Sequence, residues 1–280
     1  MSRPSPAPPR TGFAYLDTVL DVPAGEPRGV IAMAHRGGAL HPAMIGLENT
    51  LTAFEQAASL GFHYLETDVH ATRDGVLVAF HDDVLDRVTD HAGRLAELTW
   101  SEVSRARIGG VHPVPAMADL FEALPDARFN IDLKSASAVH PLVALIDRLD
   151  AHDRVCVGSF SGARMASFRT LTGGRVATSA TQAEVALVKT APVAVVRRKV
   201  RAAHGPAALQ VPHRRGRLRV VTPSLVRRAH AAGLHVHVWT VDDAEEMLEL
   251  LDLGVDGLIT DRPDVLRDVL AARGQWREHT

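Results

Sequence analysis

The chain lacks the features that would place it at once in several protein classes. It has one cysteine, Cys156, which excludes an internal disulfide framework; it lies in the apolar run RVCVGSF and reads as core. Aromatic residues make up only 5% of the chain, too few for an extended platform on which single-stranded nucleic acid would stack. A formal net charge of -2 gives no general attraction to nucleic acid. No segment approaches the ~18 consecutive apolar residues of a membrane span. The proline-rich start, MSRPSPAPPR, has no apolar run behind its basic residues and does not read as a secretory signal. The expectation is a cytoplasmic protein with a flexible leader over residues 1–28.

What is present points to a parallel α/β protein. The 280 residues, 46% hydrophobic and 23% charged, suffice for one large barrel or two modest domains. Apolar runs alternate with segments of helical periodicity. Eight runs read as strands, at 30–36, 63–69, 129–134, 154–159, 175–180, 208–212, 234–240 and 255–260. Helical stretches lie between most of them: NTLTAFEQAASLG stops at Gly61, and RPDVLRDVLAARG has Pro263 in its first turn and Gly274 past its end. A ninth run, VLVAFH at 76–81, follows the second strand after only TRDG. That link is too short for a parallel crossover, so it predicts an antiparallel arm over the barrel mouth. Residues 82 to about 120 read as an insertion carrying a helix over TWSEVSRARIG. The leading fold is a TIM-type (β/α)8 barrel over 29–274 with a tail at 275–280; an open doubly wound sheet is the alternative.

In such a barrel the C-terminal strand ends form the active site. Several polar residues fall there: His35 and Arg36 after the first strand, Glu66 and Asp68 on the second, Asp132 and Lys134 on the third, Trp239 on the seventh, and His81 on the arm. Glu66 and Asp68 are two residues apart, so they share a strand face and repel unless something positive lies between them. With Asp132 they make an oxygen-rich set suited to Mg²⁺ or Ca²⁺, with Mn²⁺ as an alternative. Each residue alone has an ordinary structural explanation, as a salt bridge or a hydrogen-bonded core histidine. Their common placement at strand ends favours a functional one.

The same residues carry a family resemblance. HRG at 35–37, ENT at 48–50, ETD at 66–68, FHDD at 80–83, NIDLK at 130–134, VWTVD at 238–242 and GVDGLITDRP at 254–263 occur in the order seen in the glycerophosphodiester phosphodiesterase family, which this chain resembles from about residue 30 onward. The resemblance implies a TIM-type barrel and metal-dependent hydrolysis of a phosphodiester to an alcohol and a phosphomonoester. It implies His35 and His81 as the acid/base pair, Glu66, Asp68 and Asp132 as metal ligands, and Arg36 and Lys134 as phosphate contacts. Glu48 and Asn49 match the motif that supports the first histidine's loop. Two positions depart from the pattern: Asp132 stands where glutamate is frequent, and the loop GGALHPAMIG is long and brings in His41, read as solvated.

The residue types suit the chemistry, because cations offset the charge that builds on phosphoryl oxygens and histidine titrates near neutral pH. Trp239 reads either as a surface for the substrate's apolar side or as the top of the core. RRKVR and HRRGRLR make residues 197–219 locally basic, which suggests peripheral contact with an anionic membrane or simply a solvated face. The expected partner is a small glycerophosphodiester. A lysophospholipase D-like enzyme and a catalytically silent barrel that binds a phosphorylated ligand are the competing readings.

Overall fold

The computed structural model describes residues 8–21, 26–202 and 204–277. Its centre is a sheet of eight parallel strands: β1 (Ile31–His35), β2 (Tyr64–Ala71), β3 (Arg128–Leu133), β4 (Val155–Gly158), β5 (Ala177–Thr178), β6 (Ala208–Pro212), β7 (His235–Trp239) and β8 (Gly257–Thr260). β8 pairs with β1, so the order is circular. The seam between β5 and β6 is thin. It consists of a parallel bridge from Ser179 to Ala208, with Ala180 N–H donating to Ala208 O and Ala207 N–H to Thr178 O, both at 2.8 Å. This closure excludes the open sheet, and the strand expected over 175–180 contracts to two residues there.

Local chemistry sets the helices. Thr50, Ser161, Thr181, Thr222 and Asp243 each accept a backbone N–H at a helix start, and Pro223 and Pro263 stand in first turns. Gly233 and Gly254 end their helices in the left-handed conformation. The arm forms as expected, with Leu77–Ala79 antiparallel to β2. The insertion differs. Its helix covers only Trp100–Val103, because Arg107–Ile108 turns back to pair with His112–Pro113 in a small hairpin. Phe80, Leu85, Leu95, Val103 and Ile108 give arm and insertion a core of their own. The next helix, Met117–Ala123, serves as the crossover to β3.

Inside the barrel, the layer below the mouth is polar. Gln210 Nε2 donates to Asn130 Oδ1 at 2.7 Å and lies 3.4 Å from His237 Nδ1. Burial pushes His237 down to about 3, so this ring is neutral. Gly257 leaves room for it, since a Cβ there would stand 2.9 Å from the ring.

Part of the segment expected as a flexible leader is built into the barrel floor. Tyr15 and Leu16, on the turn Ala14–Asp17, are fully buried against Ile31, Met33, Tyr64 and Cys156. Tyr64 Oη donates to Tyr15 O at 2.8 Å, and the two rings meet edge to face at 5.1 Å. At the other end Gln275 is buried and Trp276 packs on Phe62, so residues 275–277 of the expected tail are also packed. Among the described residues the Tyr15 hydroxyl has no hydrogen-bond partner. Tyr15→Phe should therefore leave the urea midpoint unchanged or raise it, whereas Tyr15→Ala should cost about 3–5 kcal/mol of stability, the usual range for emptying a large aromatic site. An unchanged midpoint for Tyr15→Ala would mean that the plug does not support the barrel.

Candidate active site at the barrel mouth

The register of three neighbouring strands assembles the site. His35 at the end of β1 is the lateral partner of Glu66 on β2, and Asp68 is the lateral partner of Asp132 on β3. Alternation along β2 then puts Glu66 and Asp68 on the inner face together. After His35 the chain turns sharply: Arg36 takes a φ of 50°, uncommon for a residue with a side chain, and Gly37 and Gly38 follow at 83° and 91°. Two hydrogen bonds of 2.9 Å hold this turn, from Arg36 N–H to Glu66 O and from Asn49 N–H to Arg36 O. Asn49 is itself left-handed, at a φ of 59°, and its Oδ1 accepts from Thr67 at 2.8 Å. The ENT segment thus braces the turn that presents His35 and Arg36.

The charges between the carboxylates come from the chain's own side chains. Lys134 Nζ lies 2.8 Å from both Asp68 Oδ1 and Asp132 Oδ2, and Arg36 Nε lies 3.0 Å from Asp68 Oδ2. Burial works against a charged Asp68, but Lys134 and Arg36 outweigh it and hold its carboxyl below the usual range. Burial pushes Glu66 up to about 7 and raises Asp132 as well. For Lys134, burial opposes the charge and the two aspartates more than restore it.

A metal is a question of fit. Among the described residues no three His, Cys, Asp or Glu side chains converge into a ready cage, and Lys134 stands between two of the expected ligands. Even so, Asp68 Oδ2 is buried and accepts no aligned N–H, despite the closeness of Arg36. Glu66 is a buried carboxylate whose charge is incompletely offset. Such oxygens suit a hard divalent cation.

Both histidines are held in the same way. His35 Nδ1–H donates to Asp261 Oδ1 at 2.7 Å, leaving Nε2 3.7 Å from Glu66 Oε2. His81 Nδ1–H donates to Asp82 Oδ1 at 2.6 Å. In each case a carboxylate accepting from Nδ1–H fixes the tautomer, with Nε2 as the ring's unprotonated nitrogen in the neutral form. Burial disfavours the charged His35 ring, but Glu66 and Asp261 overcome it and raise its pKa. Asp261 is in turn fixed by Asp242, whose Oδ1 accepts its backbone N–H at 2.7 Å.

Asp82, Asp242 and Asp261 lay inside recognised motifs yet were not singled out from the sequence. Two arginines were missed as well. Arg87 bonds Asp82 at 2.5 Å and grips Glu48 with two N–H groups at 2.9 and 2.7 Å, and Glu48 also accepts from Arg36 at 3.1 Å. Burial resists the charge of Glu48, but these arginines bring its pKa below the ordinary value. Arg164 donates to Leu133 O beside Asp132. No sequence signal marked either one, because their contacts arise only when the loops fold over the mouth.

The remaining expected residues are placed less uniformly. Trp239 is half-buried at the end of β7 and meets the exposed Phe160 edge to face at 5.9 Å. His41 accepts Ala43 N–H within its own loop, at 3.3 Å. The basic stretch does not form one patch. Arg197 donates to Ala231 O near the floor of the barrel, while Arg214, Arg215 and Arg217 lie beyond β6, on the mouth side. The five residues of β6, at about 3.3 Å each, separate the two groups. Among the described residues no helix is long and apolar enough to cross a membrane.

The profile of the family described as "Glycerophosphoryl diester phosphodiesterase family" matches residues 35–265. A Mycobacterium tuberculosis protein named "Probable glycerophosphodiester phosphodiesterase 2" is 47% identical over 249 residues, 89% of this chain and 93% of that protein. Among solved structures, the glycerophosphodiester phosphodiesterase of Agrobacterium tumefaciens str. C58 superimposes with a TM-score of 0.70 at 25% identity, covering 85% of this chain and 99% of the other. A phosphodiesterase of Oleispira antarctica, solved with the product sn-glycerol-3-phosphate, shares the fold with a TM-score of 0.71 at 21% identity, covering 88% and 97%.

The His35 dyad makes a direct prediction. Asp261→Asn removes a carboxylate that stabilises the imidazolium, so the His35 titration followed by NMR should move to lower pH. An unmoved midpoint would show that Asp261 does not set the charge state of this ring.

Proposed function

Because the chain belongs to the glycerophosphoryl diester phosphodiesterase family, we propose that it hydrolyses glycerophosphodiesters to an alcohol and glycerol 3-phosphate, using His35 and His81 as the acid/base pair and a divalent cation held by Glu66, Asp68 and Asp132. The observation that carries this reading is the pair of His–Asp dyads at one mouth with the buried carboxylates of Glu66 and Asp68 and the partly buried one of Asp132. When bound, the cation would supply a Lewis acid that draws charge from the phosphoryl oxygens. Arg36 and Lys134 add positive charge beside it and favour the phosphorane-like distribution over the ground state. One histidine takes a proton from the neighbouring glycerol hydroxyl as it attacks phosphorus, and the other gives a proton to the departing alcohol oxygen as its P–O bond breaks; water then opens the cyclic phosphate, with the proton transfers reversed, to leave glycerol 3-phosphate.

Asp82 and Asp261 hold the two rings through Nδ1, and His35 Nε2 is turned toward Glu66. Glu48 and Arg87 tie the arm carrying His81 to the turn carrying His35, so the two histidines keep a common geometry. A second reading, hydrolysis of lysophospholipids, is favoured by Phe160 and Trp239 at the rim, which offer apolar surface beside a polar site.

Chelator-stripped protein supplied with Mg²⁺, Ca²⁺ or Mn²⁺ should regain hydrolysis of glycerophosphocholine. Recovery with lysophosphatidylcholine alone would favour the second reading, and no recovery with either would contradict both. His81→Ala should lower kcat by about 10²- to 10⁴-fold with little change in melting temperature, as expected on loss of a general acid or base. Turnover equal to that of the parent would remove His81 from the mechanism.

A further inference from the structure

Large apolar side chains left in water are not spread evenly over this barrel. Of the nine that are exposed among the described residues, five stand on segments at the C-terminal side of the strands, each between 51% and 70% exposed. Leu40 follows β1, and its N–H bonds Asp261 O at the end of β8. Ile45 lies in the same loop, close to the insertion hairpin that carries Val111; a Cβ on Gly109 would come within 2.9 Å of Leu47. Phe160 follows β4, and Leu218 follows β6. The other four lie on or at the ends of helices of the outer layer. The mouth is thus ringed by isolated protruding apolar residues.

The β6 loop adds charge to this ring. Residues 214–219 form a two-stranded hairpin in which Arg214 pairs with Arg219 and Arg215 with Leu218, turning at Gly216 with a φ of 60°. Arg219 is neutralised by Glu249. Arg214, Arg215 and Arg217 are exposed and make no ion pair among the described residues. Elsewhere on the rim, Asp82 and Glu48 are occupied by Arg87 and Asp83 by Arg94, and next to the hairpin Glu246 is taken up by His213.

We propose that this rim is a docking surface for an anionic lipid bilayer, with Arg214, Arg215 and Arg217 against the headgroups and Leu218, Ile45, Val111 and Phe160 entering the interface. A protein partner would require one contiguous apolar core with matching shape, whereas these side chains fall into separate groups around an opening, Leu40, Ile45 and Val111 on one side and Phe160 and Leu218 on others. A fluid interface accepts separate apolar protrusions, and its negative surface complements the free arginines. The orientation turns the mouth toward the membrane, so an acylated phosphodiester reaches the carboxylates without leaving the bilayer completely. This deepens the reading of the site as a phosphodiesterase by naming where its substrate is presented. The Arg197–Lys199 cluster, near the floor, faces away and takes no part.

Vesicle flotation tests it, with neutral phosphatidylcholine vesicles and vesicles that also contain phosphatidylglycerol. The parent should bind only the anionic vesicles and be released by ~1 M salt, where charges are screened within ~3 Å. Replacing Arg214, Arg215 and Arg217 together by serine should weaken partitioning by roughly 100-fold, from about 1 kcal/mol or five-fold per arginine. Leu218→Asp should also weaken it. Neither change should alter hydrolysis of soluble glycerophosphocholine, which separates docking from catalysis: binding without hydrolysis would refute the catalytic reading and leave docking standing. Indifference to vesicle charge, or undiminished binding by the triple variant, would overturn the proposal and leave the arginines for an acidic protein. Loss of binding on replacing Arg197, Arg198 and Lys199 by serine would overturn it too, by placing the contact on the opposite end.

Discussion

The structure turns on the enclosure of three carboxylates at the end of a parallel barrel. Adjacent strands in this register force Asp68 beside Asp132 and set Glu66 beside His35, with Glu66 and Asp68 buried from water and their neighbours partly so. Such an arrangement is costly unless cations lie within a few ångströms. Lys134 and Arg36 meet that demand in part. The remaining demand falls on Glu66, pushed up to about 7 by burial, and on the raised Asp132. That remaining negative charge on hard oxygen is what the proposed divalent cation would offset.

The surrounding structure keeps that site in place. The left-handed Arg36 stores backbone strain that the Asn49 and Glu66 hydrogen bonds sustain. The two histidines are presented by unrelated elements, the end of β1 and the antiparallel arm, yet each is fixed through Nδ1 by an aspartate. The Arg87–Glu48 pair joins these elements. Below them, the neutral His237 and the Asn130–Gln210 bond form a polar layer inside the barrel, and Tyr15 closes the floor.

Much of this was legible because parallel barrels impose strong local rules. Buried strands appear as short apolar runs, and polar residues at their ends stand out against that background. The brevity of TRDG alone dictated the antiparallel arm, and the Glu-x-Asp spacing placed two acids on one face. What escaped depends on contacts between distant segments. Asp261 follows the last strand and meets His35 only after closure of the ring, and Asp242, which fixes it, follows the strand before. The floor plug was hidden because AYLDTVL follows a proline-rich stretch whose composition suggests a leader, although it carries the apolar residues that fill the barrel. The basic stretch 197–219 reads as continuous along the chain, but a strand runs through it and carries its halves to opposite ends of the barrel. The helix over 99–109 was overestimated for a similar reason: pairing between Arg107–Ile108 and His112–Pro113 competes with it.

The most direct test of the account is calorimetric titration of the chelator-stripped protein with Mg²⁺, Ca²⁺ and Mn²⁺, carried out in parallel on Asp68→Asn. The account predicts a divalent ion bound by the parent and lost, or greatly weakened, in the variant, whose near-identical shape preserves the barrel. Equal binding by both proteins, or none by the parent, would contradict the claim that the buried carboxylates exist to hold a cation.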